Sequence, residues 1–176
     1  MKTRQKIILF CLFSLLFIGC DQVTKNLAKD HLVEGVSTSY LNDMVRLIYV
    51  QNTGAALGLG DDLHPQLSFW LLSIFPLVVL SGLCFYALKN ARTMRSIELL
   101  SFCLIFGGGI GNIIDRVLYD RHVTDFLNVG FGNIRTGIFN FADMCVTSGV
   151  IGLLFIRLMK SKSKPDVEHV SPPSNF

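Results

Sequence analysis

Four long apolar stretches constrain this chain more than any other feature of its sequence. They cover residues 7–20, 67–88, 97–114 and 138–159. A helix of about 20 apolar residues spans a bilayer and satisfies its own backbone hydrogen bonds. With 51% hydrophobic residues and a mean hydropathy of +0.49, the chain is too apolar for an ordinary soluble domain. The sequence predicts four transmembrane helices, the first of them continuing to about residue 25.

Basic residues are distributed unevenly between the two ends of these helices. If the N-terminus is cytoplasmic, ten of the sixteen Lys and Arg residues fall on the cytoplasmic side: Lys2, Arg4, Lys6, Lys89, Arg92, Arg95, Arg157, Lys160, Lys162 and Lys164. Such a bias predicts that both termini lie in the cytoplasm. We expect residues 1–160 to form a single domain. Residues 161–176, with Lys, Ser and Pro, are expected to be a disordered cytoplasmic tail.

Two outer segments, residues 26–66 and 115–137, connect the helices on the other side. Within the first, Val45 to Val50 is rich in β-branched and aromatic residues and precedes Asn52-Thr53-Gly54. This pattern predicts a short strand that ends in a turn. The predicted fold is an all-α membrane protein with four transmembrane helices and a small extracytoplasmic β/loop subdomain between helices one and two.

Four aspartates lie at or near the outer ends of the helices: Asp21, Asp115, Asp125 and Asp143. Ionisable groups at membrane depth cost on the order of 3 kcal/mol and usually mark function. Two carboxylates held together in a low-dielectric site cannot both ionise easily, so they share a proton. Aspartyl proteolysis requires such a pair: the ionised member takes a proton from water, and the protonated member hydrogen-bonds the carbonyl oxygen and later helps the amine leave. This chemistry needs no cofactor or metal.

Five motifs in this sequence resemble the motif blocks of the lipoprotein signal peptidase (signal peptidase II) family. In chain order they are Asp21-Gln22-Val23-Thr24-Lys25, Asn52-Thr53-Gly54-Ala55-Ala56, Gly107-Gly108-Gly109-Ile110-Gly111-Asn112-Ile113-Ile114-Asp115-Arg116, Val123-Thr124-Asp125-Phe126 and Phe139-Asn140-Phe141-Ala142-Asp143. Each block alone is a weak signal. Their order and spacing on a four-helix topology make the combination specific.

The resemblance implies an aspartic endopeptidase with Asp125 and Asp143 as its catalytic pair. It implies that seven further residues support the site or contact substrate: Asp21, Lys25, Asn52, Gly54, Asn112, Arg116 and Asn140. The expected reaction is cleavage of diacylglyceryl-modified prolipoproteins before the lipidated cysteine. We therefore expect a globomycin-sensitive enzyme of the bacterial cytoplasmic (inner) membrane, with its site near the extracytoplasmic face. The expected partners are lipid-modified prolipoproteins and membrane lipids, and no nucleic acid.

Taken one at a time, several of these residues also fit structural roles. Asp143 could favour the N-terminus of the fourth helix, and Lys25 could anchor the first helix at the interface. Asp115 and Arg116 could form an interhelical pair. The glycines of residues 107–111 are expected to let the third helix approach its neighbours closely.

Other functions remain possible on the sequence alone. A small polytopic transporter or proton-coupled channel would use the four aspartates as an ion path, and a scaffold protein would not need them. Basic residues followed by an apolar run and Cys20 resemble a lipoprotein signal peptide, but three more membrane-length stretches argue against that interpretation. Gly58-Leu59-Gly60-Asp61 matches a motif of another class of intramembrane aspartyl peptidases, yet it lies in an outer loop. The histidines lack the spacing of a zinc protease.

Overall fold

The computed structural model of the chain describes residues 1–54 and 64–162, with side chains up to residue 159. It is mostly helical, with a small antiparallel sheet at one end of the helices, which confirms the predicted fold class. Within these ranges, four helical segments are long and apolar enough to cross a membrane: Thr3–His31, Pro65–Asn90, Ser96–Leu118 and Phe141–Met159. The predicted tail, from residue 163 onwards, lies outside the described residues, as do residues 55–63.

The first helix (α1, Thr3–His31) is longer than its apolar run. Asp21 therefore lies well inside α1, which continues beyond the predicted end at about residue 25. The last three turns bury Asp21, Lys25 and Ala28, which are spaced four and three residues apart and so share one face of the helix. These last turns, residues 21–31, are called the polar extension of α1, and they carry charged groups into the protein interior.

The second membrane segment is built from three parts. It begins with α2 (Pro65–Phe69), continues through a π-helical turn (Trp70–Ile74) and ends with α3 (Phe75–Asn90). Pro76 has no N–H and its ring crowds the preceding turn of the helix. The π-helical turn directly before Pro76 accommodates the missing N–H donor, because in a π turn each N–H bonds to the carbonyl five residues earlier and not four.

The third membrane helix (α4, Ser96–Leu118) is the most enclosed of the four. It packs against α1, α3 and the last helix (α5, Phe141–Lys162). A Cβ atom on Gly107 would lie only 2.8 Å from the Cβ of Phe17, and one on Gly149 would lie 2.6 Å from the backbone oxygen of Ser101. The missing side chains let the helices approach closely, as the glycine pattern predicted.

The sheet has four antiparallel strands in the order β1 (Ser37–Tyr40), β2 (Val45–Asn52), β3 (Val123–Phe131) and β4 (Ile134–Arg135). The predicted strand is β2. The sequence placed the small β subdomain only between helices one and two, but β3 and β4 come from the segment between α4 and α5. Pairing of β2 with β3 sets Val50 opposite Asp125 and Asn52 opposite Val123. The sheet thus brings the two connecting segments together.

Candidate active site

Asp125 and Asp143 line the same cavity, which has a volume of about 650 Å³. Asp125 lies in β3, and Asp143 lies in the first turn of α5. Asn52, Asn112 and Arg116 also line this cavity. The fold therefore brings together, in space, residues that are up to 91 positions apart in the chain.

Asp125 is held by two amide side chains and is only 3% exposed. Asn52, at the end of β2, donates from Nδ2 to Oδ2 of Asp125 over 2.8 Å. Asn140 donates from Nδ2 to Oδ1 over 2.6 Å. Both carboxylate oxygens are thus fixed in direction by N–H donors, which orients the group for chemistry.

Asp143 is fixed by the same asparagine and by a residue of α4. Its Oδ1 accepts from Nδ2 of Asn112 over 2.9 Å, and its Oδ2 accepts from the backbone N–H of Asn140 over 3.1 Å. The backbone N–H of Asp143 donates in return to Oδ1 of Asn140 over 3.0 Å. Asn140 is fully buried and contacts both aspartates, so its position links one carboxylate to the other.

A buried lysine determines how these amides point. The Nζ of Lys25 donates to Oδ1 of Asn112 over 2.9 Å, and an ammonium group can only donate. The oxygen of Asn112 therefore faces Lys25, which leaves its Nδ2 facing Asp143. The same oxygen also accepts from Nδ2 of Asn140 over 3.1 Å. Lys25 thereby sets the amide orientation on which the hydrogen bonds of both aspartates depend.

Lys25 also lies between two buried carboxylates. Its Nζ is 2.8 Å from Asp21 and 3.2 Å from Asp115, and all three side chains are almost completely inaccessible. Asp21 accepts the backbone N–H of Ala142 over 2.9 Å, and Asp115 accepts that of Thr124 over 3.1 Å. Ala142 and Thr124 immediately precede Asp143 and Asp125. The ion cluster of Asp21, Lys25 and Asp115 therefore ties down the backbone beside each candidate catalytic aspartate.

Gly111 of α4 makes room for this ion cluster. A Cβ atom on Gly111 would lie 3.0 Å from Cγ of Asp21 and closer still to its Oδ2. We expect Gly111→Ala to lower the free energy of unfolding by about 1–3 kcal/mol, because the buried carboxylate must move. Gly82→Ala is the matched control, since nothing lies within 4 Å of a Cβ there. Equal thermal stability of the two variants in detergent would contradict this expectation.

Arg116 connects α4 to the turn after β2. Its Nη2 donates to the backbone oxygen of Gly54 over 2.8 Å, and the backbone N–H of Gly54 donates to Oδ1 of Asn52 over 2.9 Å. The Nε of Arg116 is buried and has no acceptor among the residues described. Arg116 thus supports the turn beside Asp125.

The position of Asp125 raises the pKa of its carboxyl group to about 6. Burial is the main cause, and the neighbouring Asp143 adds to it, while hydrogen bonds from Asn52 and Asn140 act in the opposite direction. The folded pKa exceeds the unfolded value of about 3.9, so the folded state binds more protons between about pH 4 and 6. The contribution of this group to stability is therefore lost as the pH rises through that window.

This linkage gives a measurable pH dependence. We expect wild type to lose at most about 3 kcal/mol of unfolding free energy relative to Asp125→Asn between pH 4 and pH 7. Unfolding of both proteins in detergent at several pH values, followed by circular dichroism, measures the difference. A difference between the two proteins that stays constant with pH would contradict the raised pKa.

All nine residues singled out from the sequence meet at this end of the molecule, whereas other groups were missed. The sequence places Asp115 at the membrane edge but does not indicate its part in the site, where Nε2 of Gln22 also donates to it over 2.9 Å. The bonds from backbone N–H groups to Asp21 and Asp115 leave no signal in the side-chain pattern.

Asp61, of the Gly58-Leu59-Gly60-Asp61 motif of the other peptidase class, lies outside the described residues. Within the described ranges no group of three or more His, Cys, Asp or Glu could hold a metal ion.

Comparison with known proteins gives concordant results. Residues 13–160 match the family model described as signal peptidase (SPase) II. The lipoprotein signal peptidase of Borreliella burgdorferi is 35% identical over 155 residues, which cover 85% of this chain and 89% of that protein. The lipoprotein signal peptidase of Halalkalibacterium halodurans is 34% identical over 160 residues, with coverages of 91% and 97%.

Solved structures agree with these matches. A bacterial membrane enzyme determined by the in meso method at 2.3 Å resolution superposes with a TM-score of 0.75 at 30% identity, over 92% of this chain and 94% of its own. A second bacterial membrane enzyme, determined by the same method at 1.9 Å resolution, gives a TM-score of 0.70 at 29% identity. The second alignment covers 85% of this chain and 92% of the other.

Proposed function

The chain belongs to the signal peptidase II family of aspartic peptidases, and we propose that it removes signal peptides from prolipoproteins with Asp125 and Asp143 as its catalytic pair. One observation carries the assignment of the pair: both carboxylates line one cavity, and Asn140 donates a hydrogen bond to each of them. Their pairing matches the requirement of aspartyl proteolysis for two carboxyl groups that share a proton.

In the proposed reaction a water molecule lies between the two carboxyl groups. The ionised carboxylate takes a proton from this water as its oxygen bonds to the carbonyl carbon, and the protonated carboxyl gives its proton to the carbonyl oxygen. The tetrahedral intermediate then collapses: the C–N bond breaks, the leaving amine takes a proton from the pair, and one hydroxyl of the intermediate returns its proton to the pair as the new carboxyl group forms. The raised pKa of Asp125 favours it as the group that holds the proton at the start. Asn52, Asn112 and Asn140 keep both carboxylates in place throughout.

Lipid modification of the substrate fits the surroundings of this cavity. Its wall includes apolar side chains of the segment before α5 and of α5 itself, among them Ile138, Phe139 and Met144. Acyl chains of a diacylglyceryl cysteine can remain in the bilayer while the peptide bond before that cysteine enters the cavity. We place the cavity near the extracytoplasmic face and both termini in the cytoplasm, because the basic residues gather at the opposite end of the helices.

Cleavage by the purified protein in detergent tests the proposal directly. A diacylglyceryl-modified prolipoprotein should be cut before its lipidated cysteine, and the unlipidated form of the same protein should be cut at least about tenfold more slowly, because it loses the contribution of its buried acyl chains. Mass spectrometry of both products identifies the bond that breaks. Absence of cleavage of the lipidated protein, or cleavage elsewhere, would overturn the proposal.

The transporter interpretation is less well supported. An ion path places acidic groups at several depths of the membrane. Asp21, Asp115, Asp125 and Asp143 instead gather at one end of the helices, and Lys25 neutralises part of the charge. Glu98, at the other end of α4, lies in the first turn and accepts the backbone N–H of Arg95 over 2.8 Å. This hydrogen bond gives Glu98 a helix-capping role.

A further inference from the structure

We propose that the main chain at Ile138 binds the backbone of the substrate, which adds to the sheet as an extended strand beside the catalytic pair. The segment concerned, residues 136–139, connects β4 to α5 and is called the edge segment below. This inference rests on the proposed function and deepens it, because it states how an extended peptide is held. The ligand is defined by its chemistry: a main chain with one free N–H and one free C=O on the side that faces the enzyme.

One side of the edge segment is already hydrogen-bonded to β3. Phe139 and Leu127 form an antiparallel bridge in which each backbone N–H donates to the oxygen of the other over 2.8 Å. The N–H of Thr136 donates to the oxygen of Val129, also over 2.8 Å. The Nδ2 of Asn128 donates to the oxygen of Thr136 over 2.7 Å. These bonds to β3 hold the edge segment in place before any ligand arrives.

Ile138 is left with unused main-chain groups. In an antiparallel ladder, the residues on either side of a doubly bonded pair direct their N–H and C=O away from the partner strand. Since Phe139 is bonded to Leu127 in this way, the N–H and C=O of Ile138 point away from β3. Neither group has a hydrogen-bonding partner within residues 1–54 and 64–162. A half-buried donor and acceptor pair of this kind is a template for one more strand.

The location of these groups connects them to catalysis. Thr136, Gly137, Ile138 and Phe139 line the cavity that also contains Asp125 and Asp143. A peptide bond presented to a pair of carboxylates must be held in a defined orientation. Strand addition at Ile138 provides this orientation without demanding particular side chains from the substrate.

Backbone-edited substrates test the inference independently of protein folding. Synthetic diacylglyceryl lipopeptides are prepared in which one amide N–H at a time, on either side of the scissile bond, is replaced by an ester oxygen. We expect one position to raise KM by about three- to tenfold with little change in kcat, which is the effect of one lost hydrogen bond. Replacement at its immediate neighbours, whose N–H groups point the other way, should have less than a twofold effect.

A matched pair of enzyme variants completes the test. Ile138→Pro removes the N–H donor, whereas Ile138→Val keeps the main chain and changes the side chain only slightly. We expect the proline variant to raise KM and to lose its sensitivity to the critical ester, and the valine variant to behave as wild type. A flat ester scan on wild type would overturn the inference even if the proline variant failed to fold. Failure of wild type to cleave the all-amide lipopeptide would instead overturn the proposed function.

Discussion

Asp125→Asn and Asp143→Asn are each expected to reduce cleavage of the lipidated substrate by roughly 10³-fold or more. General acid and general base catalysis by a positioned side chain contributes typically about 10²–10⁴-fold, and in the proposed mechanism the two groups share one proton. An amide can neither accept a proton from water nor release one to the leaving group. Because the two groups act as a unit, the double variant should be no slower than about the worse single variant. Single-turnover cleavage of the lipopeptide measures all three.

The control for this result is an aspartate in the segment between α4 and α5, which also carries Asp125. Asp120 is exposed and has a φ of 47°, a conformation that asparagine tolerates well, so Asp120→Asn should fold normally and keep near-normal activity. Circular dichroism and thermal unfolding in detergent verify that all variants are folded. If either Asp125→Asn or Asp143→Asn kept more than about a tenth of wild-type activity, the assignment of the pair would be wrong.

Lys25→Met is expected to lower the free energy of unfolding by about 3–5 kcal/mol. Lys25 lies between Asp21 and Asp115 with essentially no exposure, so its loss leaves two carboxylates buried together without a counter-charge. The same change removes the donor that orients Asn112. Activity should therefore fall at temperatures where the variant remains folded. Unfolding in detergent and cleavage measured at low temperature separate the two effects.

Lys29→Met is the matched control, one turn further along α1. Lys29 has its Nζ 3.4 Å from the centre of the Tyr119 ring and makes no ion pair among the described residues, so its loss should cost about 1 kcal/mol or less. The triple variant Lys25→Met, Asp21→Asn, Asp115→Asn removes all three charges and should recover part of the lost stability. If Lys25→Met were as stable as Lys29→Met, the buried cluster would not have the role described.

The sequence alone predicted the parts of the molecule that depend on local composition. Membrane-length apolar runs predicted the four helices, because a segment inside a bilayer must satisfy its own backbone hydrogen bonds and a helix does so. The β-branched run from Val45 gave a strand, and the glycines from Gly107 gave close helix packing. The motifs identified which aspartates to consider. Helix ends were less predictable: α1 continues to His31 because its polar extension is stabilised by contacts with α4, not by its own composition.

Only the tertiary structure decided how the site is assembled. Pairing of β2 with β3 places Asn52 against Asp125, and such pairing between distant segments has no local signature. Backbone N–H groups of Thr124 and Ala142, which any residue but proline would supply, connect the ion cluster to the proposed catalytic pair. Residue types therefore determined which chemistry the chain can perform. Long-range hydrogen bonds, many of them from the main chain, determined where each group lies and how it is oriented.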